Sequence, residues 1–399
     1  MPRLPHASQI QRATGLLLAI LRRERPADVL LAECFRAHRE MGGRDRAQVS
    51  DLVYRVLRHR RRYAAQLGDE PQRWIRAALV EVFAADADTL ARMGEADPAG
   101  LSAALAAPVD AWELQHNLPP WLAEEWPALL PEAEWAAAAA ALQQPGTADF
   151  RVNRLRADPE AVLADLGARG VEAERCRWAP DGLRLTKRLP QTDPLLREGR
   201  LIPQDEGSQW LVACLPLAPG QRVLDYCAGA GGKSLALAAQ LQGSGQVTAT
   251  DIDPARLARL PPRARLAGAE IETLALPLAA ERTFDGVLVD APCSGSGTLR
   301  RAPERGLDTP DLAALQALQI EVLSAAAAQV APGGWLVYAT CSLSRRENEA
   351  VVEAFAATHP DFRPEALRLP GGGSAPRLRL WPHRHQTDGF FAAGFRRPA

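Results

Sequence analysis

Lysine is nearly absent from this 399-residue chain. Lys187 and Lys233 are its only two, so 45 of its 47 basic residues are arginine. A preference that uniform reads as a coding bias, and against it a lysine kept inside a glycine loop stands out. Paired cysteines are missing as well. The six present, Cys34, Cys176, Cys214, Cys227, Cys293 and Cys341, form no C-x-x-C and have no histidine cluster beside them. That pattern argues against zinc or another bound metal, and a chain this long needs no disulfide framework. Long apolar runs are absent too. A spanning helix needs about 20 such residues. The short run 16–21 leads into Arg22-Arg23-Glu24-Arg25 and has no small-residue cleavage site after it, unlike a signal peptide. The expectation is a monomer in a reducing cytoplasm, away from membranes. Net charge is also small, −1, which argues against a chain that is basic all over. With 47% hydrophobic and 24% charged residues, wholesale disorder is excluded.

The charge is unevenly spread. Residues 1–80 carry +8, residues 81–150 carry −11, and residues 151–399 carry +2. The first 140 residues read as helices. Over 45–63, Val49, Leu52, Val53, Val56 and Leu57 recur at i, i+3, i+4, i+7 and i+8, one face of a helix. Arg55, Arg58, Arg60, Arg61 and Arg62 crowd its second half. They read either as a solvated face that suits the helix dipole or as a surface for phosphates. A further helix covers 136–142, and Gln-Gln-Pro-Gly at 143–146 forms a linker. Residues 151–155 read as a strand. Residues 158–166 read as a helix, with Pro159 in its first turn and Gly167 just past its end.

After Gly207, β-rich runs at 222–225, 246–250, 271–276, 286–289 and 334–340 alternate with helices at 234–241, 254–260 and 311–330. Pro261-Pro262 should end or kink the second helix. Alternation of this kind predicts an α/β domain with a parallel sheet, closed by strands at 377–381 and 389–396. Three parts result: a helical domain over 1–145, a small α+β connector over 146–208, and a ligand-binding sheet domain over 209–399.

The run Val223-Leu224-Asp225 feeds Cys227-Ala228-Gly229-Ala230-Gly231-Gly232-Lys233-Ser234 and then a helix. A phosphate-cradling P-loop would need Gly where Cys227 stands. The alternative is a nucleoside-cofactor loop, whose glycines admit a ligand close to the backbone. An acid at the end of the next strand then takes the ribose hydroxyls. Asp251 stands there, 22 residues past Gly229. Loop and acid together fit either a nicotinamide dinucleotide or S-adenosylmethionine.

In an open α/β sheet, chemistry collects at the carboxyl ends of the strands. Asp290-Ala291-Pro292-Cys293-Ser294 follows one predicted strand and Thr340-Cys341-Ser342 another. Cysteine is a common buried residue, but two at strand ends, with Asp290 beside one, point to chemistry. Methylation at an amine needs no covalent help. Methylation at C5 of a pyrimidine does: a thiolate adds to C6, C5 becomes enamine-like and takes the methyl, a base removes the C5 proton, and the thiolate leaves. An acid near N3 stabilises the adduct. The residues alone leave open which cysteine is the nucleophile.

Three motifs, Asp225-Tyr-Cys-Ala-Gly-Ala-Gly-Gly-Lys-Ser, Asp290-Ala-Pro-Cys-Ser-Gly-Ser-Gly-Thr and Tyr338-Ala-Thr-Cys-Ser, together resemble the Nop/Sun family of RNA cytosine-C5 methyltransferases. Gln204-Asp205-Glu206-Gly207-Ser208-Gln209 resembles the family's lead-in to its catalytic domain, and Thr387-Asp388-Gly389-Phe390-Phe391 its closing strand. Arg44-Asp45-Arg46 with Leu52-Val53-Tyr54-Arg55-Val56-Leu57 is similar to the NusB-like helical domain of the bacterial Sun (RsmB) branch, which acts on small-subunit ribosomal RNA. The resemblance implies a Rossmann-like class I sheet with S-adenosylmethionine held by Cys227, Ala228, Gly229, Ala230, Gly231, Gly232, Lys233 and Asp251. It implies Cys341 as nucleophile, Cys293 assisting release, Asp290 contacting the base and the cofactor, and 16S ribosomal RNA as partner.

The chain departs from the family at three places. Ala230 replaces the usual proline. No acid follows the third strand in Leu274-Ala275-Leu276-Pro277-Leu278. Arg305-Gly306-Leu307 replaces a basic-aromatic pair. The missing acid motivates a second reading, an RNA-binding or ribosome-assembly protein with a degraded cofactor site. A nicotinamide-dependent oxidoreductase leaves both cysteine motifs unexplained.

Overall fold

The computed structural model describes residues 4–399. They form two compact units, one of the described residues up to Pro145 with Thr298–Thr309, the other of Gly146–Gly297 with Pro310–Ala399. No helix among the described residues is long and apolar enough to cross a membrane.

The first unit is built on four helices, α1 (Ala7–Leu21), α2 (Ala27–Ala37), α3 (Gly43–Leu67) and α4 (Pro71–Phe83), followed by further helices up to Gln143. The expected apolar stripe is the buried face of α3: Val49, Leu52, Val53, Val56 and Leu57 are all in the core. Each side chain buried there contributes about 1.5–3 kcal/mol. Asp45 caps the start of α3 by accepting from the Gly42 amide at 3.0 Å, and Gly68, at φ +78°, ends it.

The arginine crowd on α3 is only half-buried, and its members find partners inside the unit. Arg55 and Arg62 both pair with Glu81 on α4, and the Tyr63 hydroxyl donates to the same carboxylate at 2.6 Å. Arg58 and Arg61 donate to the carbonyls of Arg300 and Gly306. Arg60 lies over the Trp74 ring. All five side chains are thus held in place on a half-buried face.

The second unit holds two sheets. Strands β1 (Ala148–Val152), β2 (Ala173–Arg175), β3 (Gly182–Leu185) and β4 (Leu201–Pro203) form an antiparallel sheet ordered β2-β3-β1-β4. The strand expected at 151–155 stops at Val152. Asn153 turns the chain, its amide donating to the carbonyls of Gly199 (2.8 Å) and Ala267 (2.7 Å). The helix expected at 158–166 runs Pro159–Ala168, with Gly167 inside it, and Gly170 takes the left-handed turn at φ +69°.

The larger sheet is built from β5 (Arg222–Asp225), β6 (Gln246–Thr250), β7 (Ile271–Leu274), β8 (Phe284–Asp290), β9 (Val330–Thr340), β10 (Arg363–Glu365) and, after a small pair β11 (Leu367–Arg368) and β12 (Ser374–Ala375), β13 (Arg377–Leu380) and β14 (Phe390–Arg396). Its order is β10-β14-β9-β8-β5-β6-β7, with β13 also on β14. Strands β5 to β9 are parallel. The closing strands are antiparallel, so the sheet is mixed where a parallel one was expected. The helix expected at 254–260 breaks into Pro254–Leu257 and Leu260–Ala267. Pro261 and Pro262 sit in the first turn of the second piece, where missing amides cost nothing.

Candidate active site

Strand order decides where the site forms. The chain leaves β5 for β6 and β7, then crosses back to β8 and β9, so the order reverses between β5 and β8, and ligands bind outside the carboxyl ends at such a point. Cys227, Asp251 and Cys341 follow those ends, and Asp290 is the last residue of β8.

The glycine loop is shaped by its glycines and pinned by its neighbours. Gly229 and Gly231 have φ of +56° and +81°. A Cβ on Gly231 would lie 2.2 Å from Leu260 Cδ1. The Ala228 amide donates to the Thr250 carbonyl at 2.8 Å. Arg263 donates to the Ala230 carbonyl, where the family usually has a proline. Asp251 is buried and accepts from the amides of Gly229 (2.7 Å) and Asp253 (2.8 Å). Beside it lies a cavity of about 400 Å³, lined by Asp251, Ile252, Leu257, Thr273 and Leu274 among others. Ile252 is 85% exposed, an apolar side chain left open next to an acid.

Lys233 and Asp290, 57 residues apart, meet at 2.6 Å (Nζ to Oδ2). Burial pulls the Lys233 pKa down, but the Asp290 carboxylate and its hydrogen bond more than offset this and hold it above the ordinary value. The ammonium also lies over the Phe390 ring. Behind it, fully buried Asp225 accepts from the Ser234 hydroxyl at 2.6 Å, and its Oδ1 is buried with no partner. Burial pushes the Asp225 pKa up to about 7, with help from the nearby charges of Asp290 and Asp251 and against the pull of Ser234 and Lys233. Burial, with the same acidic neighbours, also pushes the Cys227 thiol up.

The two cysteines meet. Cys293 Sγ lies 3.4 Å from Cys341 Sγ, and the two are not disulfide-bonded. Two sulfurs this close resist ionising together. The hydrogen bond to Cys341 raises the Cys293 pKa well above the ordinary thiol value, and burial and the charges of Cys341, Glu347 and Asp290 add to it. Cys293 therefore keeps its proton.

Sequence reading singled out the cysteines, Asp290, Asp251 and the loop. It missed Asp225 and Glu347. Asp225 stood within a quoted motif as the last residue of a strand, and its acid at a buried position was the available signal. For Glu347 there was none, since its partners come from three segments.

Residues 212–396 match the family described as 16S rRNA methyltransferase RsmB/F, and residues 118–192 match the ferredoxin-like domain described as RsmF/B-like. The chain is 33% identical over 314 residues to the probable ribosomal RNA small subunit methyltransferase B of Bacillus subtilis, covering 74% of this chain and 69% of that protein. It is 37% identical to the ribosomal RNA small subunit methyltransferase B of Pseudomonas syringae pv. tomato, over 70% of this chain and 67% of the relative. A putative methyltransferase of Mycobacterium tuberculosis is 41% identical over 61% of this chain and 56% of its own length. Among solved structures, a methyltransferase homolog from Pyrococcus horikoshii is 29% identical with TM-score 0.61, covering 71% of this chain and 97% of that one.

Proposed function

Because this chain belongs to the 16S rRNA methyltransferase RsmB/F family, we propose that it transfers a methyl group from S-adenosylmethionine to C5 of a cytosine in 16S ribosomal RNA, through a covalent bond between Cys341 and C6. The observation that carries this reading is the 3.4 Å approach of Cys293 and Cys341, beside Asp290, at the carboxyl ends of one sheet that also carries a glycine loop.

The loop fits the cofactor. Its glycines leave the backbone open, Asp251 stands where ribose hydroxyls need an acceptor, and the cavity next to it offers apolar walls for a base. Residues Cys227 to Lys233 and Asp251 would hold S-adenosylmethionine, which supplies an electrophilic methyl group when bound. The chain's own residues do the rest. Cys341 acts as the thiolate nucleophile, with the Cys293 sulfur 3.4 Å away and the Lys233 ammonium nearby to favour its charge. Cys341 adds to C6, and the negative charge spreads towards N3. The Lys233–Asp290 pair contacts the base there, and a proton it delivers to N3 steadies the adduct. Once a base removes the C5 proton, the Cys341–C6 bond breaks, and Cys293, beside Cys341, is placed to assist the departure of the methylated base.

The target cytosine must be unpaired or flipped out, since C6 is attacked from the face of the ring. The helical residues 1–145 are assigned as a NusB-like RNA-holding domain, residues 146–208 as the connector, and residues 209–399 as the catalytic domain. Bisulfite sequencing of small-subunit RNA incubated with the protein and cofactor tests the reading. Methylation of one cytosine that vanishes in Cys341→Ser is the expected result. Full activity of that variant would remove the nucleophile assignment. A failure to bind S-adenosylmethionine in millimolar calorimetry would favour a non-catalytic RNA-binding protein.

A further inference from the structure

Glu347 is completely buried, and its carboxylate is the meeting point of both cysteine loops. Oε1 accepts from the Ser294 amide at 2.7 Å and from Gln319 Nε2 at 3.1 Å. Oε2 accepts from the hydroxyls of Ser294, at 2.6 Å, and Ser342. Ser294 is the residue after Cys293, and Ser342 is the residue after Cys341. One carboxylate thus grips the immediate neighbour of each thiol. Gln319 extends the grip by donating to the carbonyl of Pro292, the residue before Cys293, at 2.9 Å.

A strap reinforces the second loop. The Thr340 hydroxyl donates to Asn348 Oδ1 at 2.6 Å, and Asn348 Nδ2 donates to the Ser342 carbonyl at 2.9 Å. The Tyr338 hydroxyl donates to the carbonyl of Glu347 itself at 2.6 Å. A buried charge is costly unless hydrogen bonds satisfy it, and four donors here do so. Glutamine, of the same length, would offer one acceptor oxygen and turn an NH2 towards these donors, so the four donors call for a carboxylate.

We infer that Glu347 is a positioning residue of the proposed methyl transfer, fixing the separation of the Cys293 and Cys341 sulfurs by clamping the residue that follows each. The inference rests on the proposed function for its consequence but not for its geometry. The Glu347 charge adds to the groups that keep Cys293 protonated, with Cys341 and Asp290 the other contributors.

The test uses Glu347→Gln, which keeps size and removes charge, and Ser342→Ala, which removes a single donor should the first variant fold poorly. Two readouts are taken on the full chain. The first is single-turnover methyl transfer at saturating RNA and cofactor, together with KM for each. The second is the rate at which diamide closes Cys293 and Cys341 into a disulfide, the two thiols giving two electrons and two protons to the N=N bond. The expected result is kcat lowered about 10- to 100-fold, as misplacement by an ångström or less costs. KM is expected to be unchanged, and the diamide rate to shift in the same variants. Wild-type kcat and wild-type diamide rate in both variants would overturn the inference. So would a loss of kcat that follows only the loss of folded protein, with the diamide rate unmoved. If the wild-type chain itself transfers no methyl group, the proposed function fails, and the diamide rates still decide the positioning role.

Discussion

Lys233 Nζ and Asp290 Oδ2 lie 2.6 Å apart, joining the helix that starts in the glycine loop to the end of β8. The lysine side chain is 10% exposed and the aspartate 29%. Breaking such a pair leaves an uncompensated charge in a partly desolvated site. Lys233→Met should lower kcat/KM for RNA methylation by about 100-fold or more, because Asp290 loses its anchor beside the base. Lys233→Arg should not rescue it fully, since a planar guanidinium cannot replace a compact ammonium in that space. Single-turnover assays check both.

The cysteine pair predicts opposite outcomes on a denaturing gel. Cys293→Ala should accumulate a covalent protein–RNA species, because bond-making at Cys341 survives and its partner in release does not. Cys341→Ser should form none. Equal adduct in both variants would reverse the assignment of the two sulfurs.

Asp225 gives a pH signature. Its folded pKa, about 7, is raised above the unfolded value of about 3.9. The folded chain therefore takes up a proton between those values, and keeping the carboxylate ionised costs stability as pH rises through that window. Asp225→Asn escapes the cost and keeps an acceptor for Ser234. The Tm difference between variant and wild type should move in the variant's favour from pH 5 to pH 8. A constant difference would mean that Asp225 is not protonated near neutrality.

Glu81 predicts the reverse. Burial raises its pKa, but hydrogen bonds from Tyr63, Arg62 and Arg55 and the Arg62 charge win and lower it to about 2. Its stabilisation is present above the unfolded value and is lost as pH falls from about 4.3 towards 2. Glu81→Gln should cost roughly 2–3 kcal/mol at pH 7 by the same linkage, and much less at pH 2. Urea titration at the two pH values measures it.

Gly231 sits at φ +81° with Leu260 Cδ1 where a Cβ would go. Gly231→Ala should destabilise the loop by about 1–3 kcal/mol through backbone strain and weaken S-adenosylmethionine binding by calorimetry. Gly243→Ala, also at positive φ but with nothing near its Cβ, should leave binding unchanged.

What the sequence determined by itself was local. The 3.6-residue stripe on α3, the strand-loop-helix around Cys227 and the cysteines after β8 and β9 are each written within about 20 residues, because helix and strand periodicity and turn chemistry act at that range. Tertiary structure decided which distant residues meet. Lys233 finds Asp290 only because β5 and β8 are adjacent, and Glu347 reaches Ser294 only because β9 lies beside β8. It also turned the α3 arginines inward, since Glu81 and the carbonyls of Arg300 and Gly306 were there to receive them. Strand order fixed these pairings, and no local pattern encodes strand order.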